Sequence, residues 1–458
     1  MEETNNENKE EINKENKEEI NKENQIETNK DNKEESNKES QIETNKDNKE
    51  ESNIENQIET NKENNEESNK ENEEKDYLYI SKSELIQGIA NHLQYIIKGK
   101  GISDTIKRRY NDFYQLREKL ILNWPGIYIP NIPSKKKVSE LDTKKILFRV
   151  RALNTFLYNI SKIIYLYESD EFKCFQNTNE DFNKAIEKIP KLNEVQILEK
   201  YKKCFNDYNE NFDFVKGKEN INSFILFLNK IKNNLNSMKN NIDVIYEKRN
   251  ENIKNYLSLN KFFIIYDKNC ILKYIDDNNE EKLIFNKNEK IKNGFEKLNE
   301  LLKNPYHKVY IWIYDEKKDV DAMIEAINII NNLELNYNKL KQKNDIIDND
   351  IKKIENGQSG FSFKGLFKKQ DEMLNDLKQE KSKNDINLNN LNEIIKITSF
   401  VMNKNITEFK KEKIKNYFEI VKIFAKKQIE NNNKLNELFN EIKNILIEIK
   451  EKHKEIKI

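Results

Sequence analysis

Glycine, proline, cysteine, histidine and arginine are all scarce in this chain. Its 458 residues include nine Gly, five Pro, three Cys and three His. None of the glycines is spaced as a Gly-x-Gly-x-x-Gly turn or a phosphate loop, so a nucleotide has no backbone cradle here. Cys174, Cys204 and Cys270 are far apart and odd in number. Neither a disulfide framework nor a metal or redox motif is expected from them. His92, His307 and His453 are equally scattered, which leaves His-based catalysis and a His/Cys zinc site without a constellation. No apolar run approaches the roughly 18 residues of a membrane span, and no apolar segment follows a basic start as in a secretory leader. The expectation is a cytoplasmic protein that is not an enzyme and needs neither cofactor nor metal.

What is present is charge, unevenly placed. Lys+Arg and Asp+Glu both number 81. Residues 1–75 hold 26 acidic and 12 basic side chains, a net −14, and the body beyond them carries +14. The arm is repetitive: QIETNKDNKEESNKES begins at Gln25, QIETNKDNKEESNIEN at Gln41 and QIETNKENNEESNKEN at Gln57, a period of 16. Each unit offers one or two Ile, too little apolar surface to offset the entropy of ordering it. Residues 1–75 are therefore expected to be a disordered low-complexity arm.

The body has two patterns. Four of the five prolines fall between Pro125 and Pro190, and five of the six arginines between Arg108 and Arg151. A chain that writes nearly every cation as Lys has kept Arg for one patch, and Arg supplies the rigid donor fork that suits phosphate or carboxylate. Residues 77–80, the run from His92 and the run from Ile102 read as strands. A helix follows with Phe113, Leu116, Leu120 and Ile121 on one face. Pro125, Pro130 and Pro133 forbid its continuation, and helix resumes near Lys144. From about Asn220 onward, Ile221–Phe224–Leu228, Val320–Met323–Ile327–Ile330 and Leu435–Leu438–Ile442 step by threes and fours, the spacing of long amphipathic helices. Breaks near 276–281, at Asn304-Pro305 and at 357–360 divide this region into three helices of roughly 50 to 90 residues.

Three motifs then fall in order: Arg108-Arg109-Tyr110-Asn111-Asp112-Phe113, Ile129-Pro130-Asn131-Ile132-Pro133-Ser134-Lys135, and Phe148-Arg149-Val150-Arg151-Ala152-Leu153. Together they resemble the phox-homology (PX) domain, with Asn111 where that family usually has Ser and Asn131 interrupting its usual Pro-Pro-x-Pro loop. The resemblance implies an α+β domain, a three-stranded antiparallel sheet plus helices, over residues 76–178. It also implies binding of phosphoinositide headgroups, phosphatidylinositol 3-phosphate by family default. Arg109 would then grip the 3-phosphate and Tyr110 would floor the inositol ring. Lys135 would meet the 1-phosphate, and Arg149 the hydroxyls at positions 4 and 5. The proline-bounded loop carries Trp124, Ile127, Tyr128, Ile129 and Ile132 beside Lys residues, a composition that suits a membrane interface. In PX domains this loop enters the bilayer, so these five are the expected membrane-insertion residues.

A PX domain followed by long helices is similar to sorting nexins with a BAR module. That resemblance implies an all-α, three-helix, BAR-like coiled coil over 219–458, working as a homodimer or as a heterodimer with another BAR protein on anionic, endosomal membranes. Residues 179–218 are expected to be a linker with an amphipathic helix, in which Val195, Leu198, Tyr201 and Phe205 share a face. Phe361, Phe363 and Phe367 stand beside Lys364, Lys368 and Lys369 between the second and third long helices, and are expected to form a basic, apolar tip wedge. The leading expectation is a peripheral sorting nexin that reads a phosphoinositide and senses or induces curvature. The alternative is a PX-tethered coiled-coil scaffold that bends nothing. Nucleic acid is not an expected partner, because the Arg cluster is tied to a strand end and a proline loop rather than spread as a stripe.

Overall fold

The computed structural model describes residues 76–86, 92–102, 105–135, 143–177, 181–209, 211–274, 291, 293–294, 302–356 and 370–455. The arm 1–75 and the expected wedge Phe361, Phe363 and Phe367 lie outside the described residues. Three strands, β1 (Tyr79–Ile86), β2 (His92–Lys98) and β3 (Ile106–Arg109), form one antiparallel sheet in that order. Register runs from Tyr79 opposite Lys98 to Ile86 opposite His92, with an irregularity between Ile80 and Lys82. Gln94 faces Arg109 and Tyr95 faces Arg108 on the other edge of β2. The first strand is longer than the apolar run YLYI suggested, because ladder pairing carries it through the polar stretch Lys82–Glu84. The third is shorter, starting at Ile106.

Strand alternation sends Leu78, Ile80, Tyr95, Ile97 and Ile106 to a single buried face. Helix α1 (Tyr110–Asn123) lays Phe113, Leu116 and Leu120 against that face, all fully buried. It stops before Pro125, which excludes helical backbone from the residue ahead of it. Helix α2 (Thr143–Ser161) adds Leu153, Phe156, Leu157 and Ile160, and Asn154 Oδ1 accepts the Ile80 N–H at 2.6 Å. Short helices α3 (Ile164–Tyr167), α4 (Asp170–Gln176), α5 (Phe182–Lys188) and α6 (Glu194–Cys204) follow. Ser169 caps α4 by accepting from the Phe172 N–H, and Asn193 and Gln196 cap α6 reciprocally. The expected linker is therefore packed: Phe182, Ile186, Ile197, Leu198, Tyr201 and Phe205 all belong to the same core as β2.

Among the described residues three long helices follow: α7 (Phe214–Tyr266, 53 residues), α8 (His307–Glu355, 49 residues) and α9 (Gln370–Glu455, 86 residues). Their lengths match the sequence periodicity. Ile221, Phe224, Leu228 and Leu235 of α7 meet Val320, Met323, Ile327 and Ile330 of α8 and Met402 and Ile406 of α9 in one seam. Helices this long and narrow gain their stability from such packing rather than from propensity. The α+β core does not end where the helices begin, since Ile394, Ile397 and Val401 of α9 are buried in it with Trp124 and Ile127. Among the described residues no helix is long and apolar enough to cross a membrane.

Candidate functional site

The junction of β3 and α1 separates the two motif arginines. Alternation turns Arg108 inward, where it is 5% exposed. Its Nε and Nη2 donate to the Phe175 carbonyl at 3.2 and 2.9 Å, and Nη2 also donates to the Asn177 carbonyl at 2.5 Å. The guanidinium lies 5.4 and 5.2 Å from the ring centroids of Phe175 and Phe182. Burial pulls its pKa below the usual arginine range, against the nearby Asp112. Arg108 is thus a structural cation that stitches β3 to α4 and α5. Arg109 turns outward and keeps about half of its side chain exposed. Its backbone N–H donates to Asp112 Oδ2 at 2.9 Å and its Nε reaches Asp112 Oδ1 at 3.4 Å. Burial pushes the Asp112 carboxyl up while Arg109 and Arg108 oppose the shift. A groove of about 420 Å³ opens beside Arg109, with His92, Gln94, Lys107 and Asn183 among its lining.

Tyr110 begins α1 and forms the centre of the remaining constellation. Its hydroxyl donates to the Pro133 carbonyl at 2.5 Å, tying α1 to the proline loop. The Arg149 guanidinium stands 4.8 Å from the centre of its ring. Burial raises the Tyr110 phenol, and Arg149 is the largest opposing influence. Tyr95 beneath is raised by burial too, again opposed by Arg149. Lys135 lies two residues past Pro133 and places its ammonium 5.1 Å from the ring of Tyr114, one turn along α1 from Tyr110. Arg149, Tyr110 and the Lys135 loop therefore converge, whereas Arg109 pairs with Asp112 and lines the open groove, which none of those three residues lines.

The five expected membrane-insertion residues are turned into the protein. Trp124, Ile127, Ile129 and Ile132 are 1%, 1%, 2% and 7% exposed, and Tyr128 packs half-buried on Phe409 of α9. The Trp124 ring stacks on Tyr201 and meets Tyr165, with centroids at 6.0 and 5.4 Å. Lys200 sits 3.8 Å over it, and its indole N–H points to Glu171 Oε2 at 3.4 Å. Gly126, at φ +80°, lets the turn press on α8 and α9. A Cβ there would meet Ile330 at 2.9 Å and Thr398 at 3.2 Å. The same apolar, proline-bounded composition serves a protein surface as well as a lipid one. Here the long helices supply that surface.

Sequence reading missed the residues that make this contact. Arg117 is 8% exposed, donates from Nε to the Pro130 carbonyl at 2.9 Å and pairs through Nη2 with Glu325 of α8. Arg151 holds Asp315 of α8 with both terminal nitrogens. Phe148 packs edge-on against Tyr310 and Tyr314. Asn131, the residue that interrupts the usual proline pattern, donates to the Lys318 carbonyl at 3.3 Å. The Arg clustering was the visible signal. The acidic partners lie more than 160 residues away and carry no local mark.

Residues 98–179 match the PX domain family. Over 96 residues the chain is 35% identical to the vacuolar protein sorting-associated protein vps5 of Schizosaccharomyces pombe, covering 21% of this chain and 17% of that one. Over 117 residues it is 27% identical to sorting nexin 1 of Arabidopsis thaliana, covering 23% and 29%. The chain thus spans less than a third of the length of either relative. The SNX-BAR Mvp1 tetramer, solved by cryo-electron microscopy, superimposes with a TM-score of 0.50 at 14% identity, over 80% of this chain and 99% of that one. Residues 98–179 thus belong with the PX domain family, and over 80% of its length the chain has a fold similar to that of the SNX-BAR Mvp1 tetramer.

Proposed function

We propose that this protein is a phosphoinositide-binding sorting nexin that attaches peripherally to endosomal membranes and serves protein sorting there. The observation that carries the reading is the convergence of Tyr110, Arg149 and the Lys135 loop beside the strand end that carries the half-exposed Arg109. A planar guanidinium matches phosphate oxygens in two directions, and an ammonium serves as a point charge. Arg109 takes the 3-phosphate of phosphatidylinositol 3-phosphate, Lys135 the 1-phosphate, and Arg149 the ring hydroxyls. Arg149 already covers one face of Tyr110, so the inositol ring takes the other face or displaces the guanidinium, at a cost of about 0.5–2 kcal/mol. The long helices pair with a second copy or with another BAR protein, and their paired surface senses or induces curvature. An exposed apolar stripe on α9, Ile414, Tyr417, Phe418 and Val421, supports pairing, with each residue at least 44% exposed.

Vesicles of phosphatidylcholine and phosphatidylserine with each phosphoinositide in turn test the reading. Arg109→Ala should leave the helical circular dichroism intact and weaken binding to the preferred lipid by roughly 30- to 1000-fold, the loss of a charge-assisted phosphate contact of about 2–4 kcal/mol. A folded Arg109→Ala chain that binds as tightly as the wild type refutes the pocket.

A further inference from the structure

Two tyrosines on consecutive turns of α1 each carry a cation. Tyr110 has the Arg149 guanidinium 4.8 Å from its ring centre, and Tyr114 has the Lys135 ammonium at 5.1 Å. Residues four apart on a helix share a face, with Cβ atoms about 5–6 Å apart. The two rings are therefore rungs of one short ladder, and α1 sets the spacing of the two cations. The rungs differ in what else they do. Tyr110 packs on the α+β core, and its hydroxyl donates to the Pro133 carbonyl at 2.5 Å. Tyr114 is 37% exposed and lies outside that core, and among the described residues its hydroxyl makes no hydrogen bond. A large ring left at the surface contributes little to the fold, and the contact that remains to it is Lys135.

Lys135 has equally few ties. It is exposed, two residues past the carbonyl that Tyr110 holds. Among the described residues its ammonium makes no ion pair and no hydrogen bond, so the Tyr114 ring is what it rests on. A lysine on a four-carbon stem otherwise samples many rotamers, and fixing such a side chain at the moment of binding costs affinity. An aromatic face attracts the ammonium and limits that sampling. The group has three N–H donors, so those turned away from the ring stay available to an anion.

We propose that Tyr114 is a positioning residue of the headgroup site: its ring holds the Lys135 ammonium one helical turn from the Arg149–Tyr110 pair, so that a phosphate meets a cation already in place. The proposal rests on the reading that these residues take a phosphorylated inositol, with Lys135 on the 1-phosphate. The chemistry required is a phosphate ester on the inositol ring, and a membrane lipid shares it with its soluble headgroup.

Full-length protein should be titrated with three ligands. These are soluble inositol 1,3-bisphosphate, inositol 3-phosphate, which lacks the group that Lys135 meets, and phosphatidylcholine–phosphatidylserine vesicles with or without phosphatidylinositol 3-phosphate. Tyr114→Leu should weaken the bisphosphate and the 3-phosphate vesicles by about twofold to fivefold, the limit set by the strength of an exposed cation–ring contact. It should leave inositol 3-phosphate and the vesicles without the 3-phosphate lipid unchanged. Tyr114→Phe keeps the ring face and should match wild type. In a Lys135→Met chain, adding Tyr114→Leu should change nothing further, since the partner it positions is gone. A general folding defect weakens both soluble ligands together, so the ratio of their affinities reads positioning even where Tyr114→Leu is less stable. Four results overturn the proposal: wild-type bisphosphate affinity in Tyr114→Leu while Lys135→Met is weakened, an equal loss for both soluble ligands, a loss confined to vesicles, or an effect that persists in full without Lys135. Each of them leaves the phosphoinositide reading intact. Wild-type affinity in both Arg109→Ala and Lys135→Met removes that reading, and Tyr114 falls with it.

Discussion

Trp124 offers a direct test of what the proline-bounded loop does. The chain has two tryptophans, so Trp312→Phe leaves Trp124 as the sole indole reporter. In the structure its ring is already dry. It is 1% exposed, sandwiched by Tyr201 and Tyr165, with Lys200 at 3.8 Å. Its emission should therefore be blue-shifted without lipid and should neither shift further nor be quenched when brominated-lipid vesicles are added. Trp124→Ala should cost about 3–5 kcal/mol for the lost ring and the cavity it leaves. The broken Lys200 contact adds up to about 2 kcal/mol, and Glu171 loses its indole donor. A total of roughly 3–7 kcal/mol should appear as a large drop in the urea midpoint. A blue shift and quenching on vesicle addition would refute the docked loop. So would a Trp124→Ala chain that loses membrane affinity with its urea midpoint unchanged.

Two further outcomes follow from the same contacts. Arg117→Met leaves the buried Pro130 carbonyl without its donor and Glu325 without its cation. It should destabilise the protein by about 2–4 kcal/mol in urea unfolding, and a change below about 0.5 kcal/mol counts against the loop being bolted to α8. Phe418→Glu places a charge in the exposed stripe of α9, where Phe418 is 66% exposed. It should convert a sedimenting dimer to monomer without changing helical content, and a dimer that persists moves the pairing surface elsewhere.

The β3–α1 junction was legible because everything that makes it is local. Strand alternation splits Arg108 from Arg109, Asp112 receives the Arg109 N–H, and Phe113 starts the apolar face within five residues. The lengths of α7, α8 and α9 were legible for a similar reason, since periodicity persists over many turns. The loop was misread because its composition states only that an apolar partner exists. What the partner is depends on Ile330, Thr398 and Phe409, which no local pattern joins to Gly126 and Tyr128. The stripe from Leu435 carried the same ambiguity. Its spacing marks an apolar face without naming the cover, and Leu435, Leu438, Ile442 and Ile445 pack on Ile253, Ile291 and Leu302 of their own chain. Exposed apolar side chains on α9 occur at 414–421 and again at Phe439, Leu446 and Ile447.

The docked loop changes what the proposed headgroup site could do. A PX domain on a flexible tether would bring the helices near a membrane but leave their orientation free. Here Arg117–Glu325, Arg151–Asp315 and the Gly126 turn each cross from the α+β core to α8 or α9, and a shared apolar core runs through the same seam. The domain and the helices therefore move as one body. A lipid seated at Tyr110 would then fix the angle at which α8 and α9 meet the bilayer as well as their distance from it. In a pair of such chains the two pockets would be held at a set spacing, and the second would find its lipid at a high effective concentration. Loosening the seam should erode that advantage even with every pocket residue in place, because the contacts that orient the helices are the contacts that brace Pro130, Asn131 and Arg151 around the pocket.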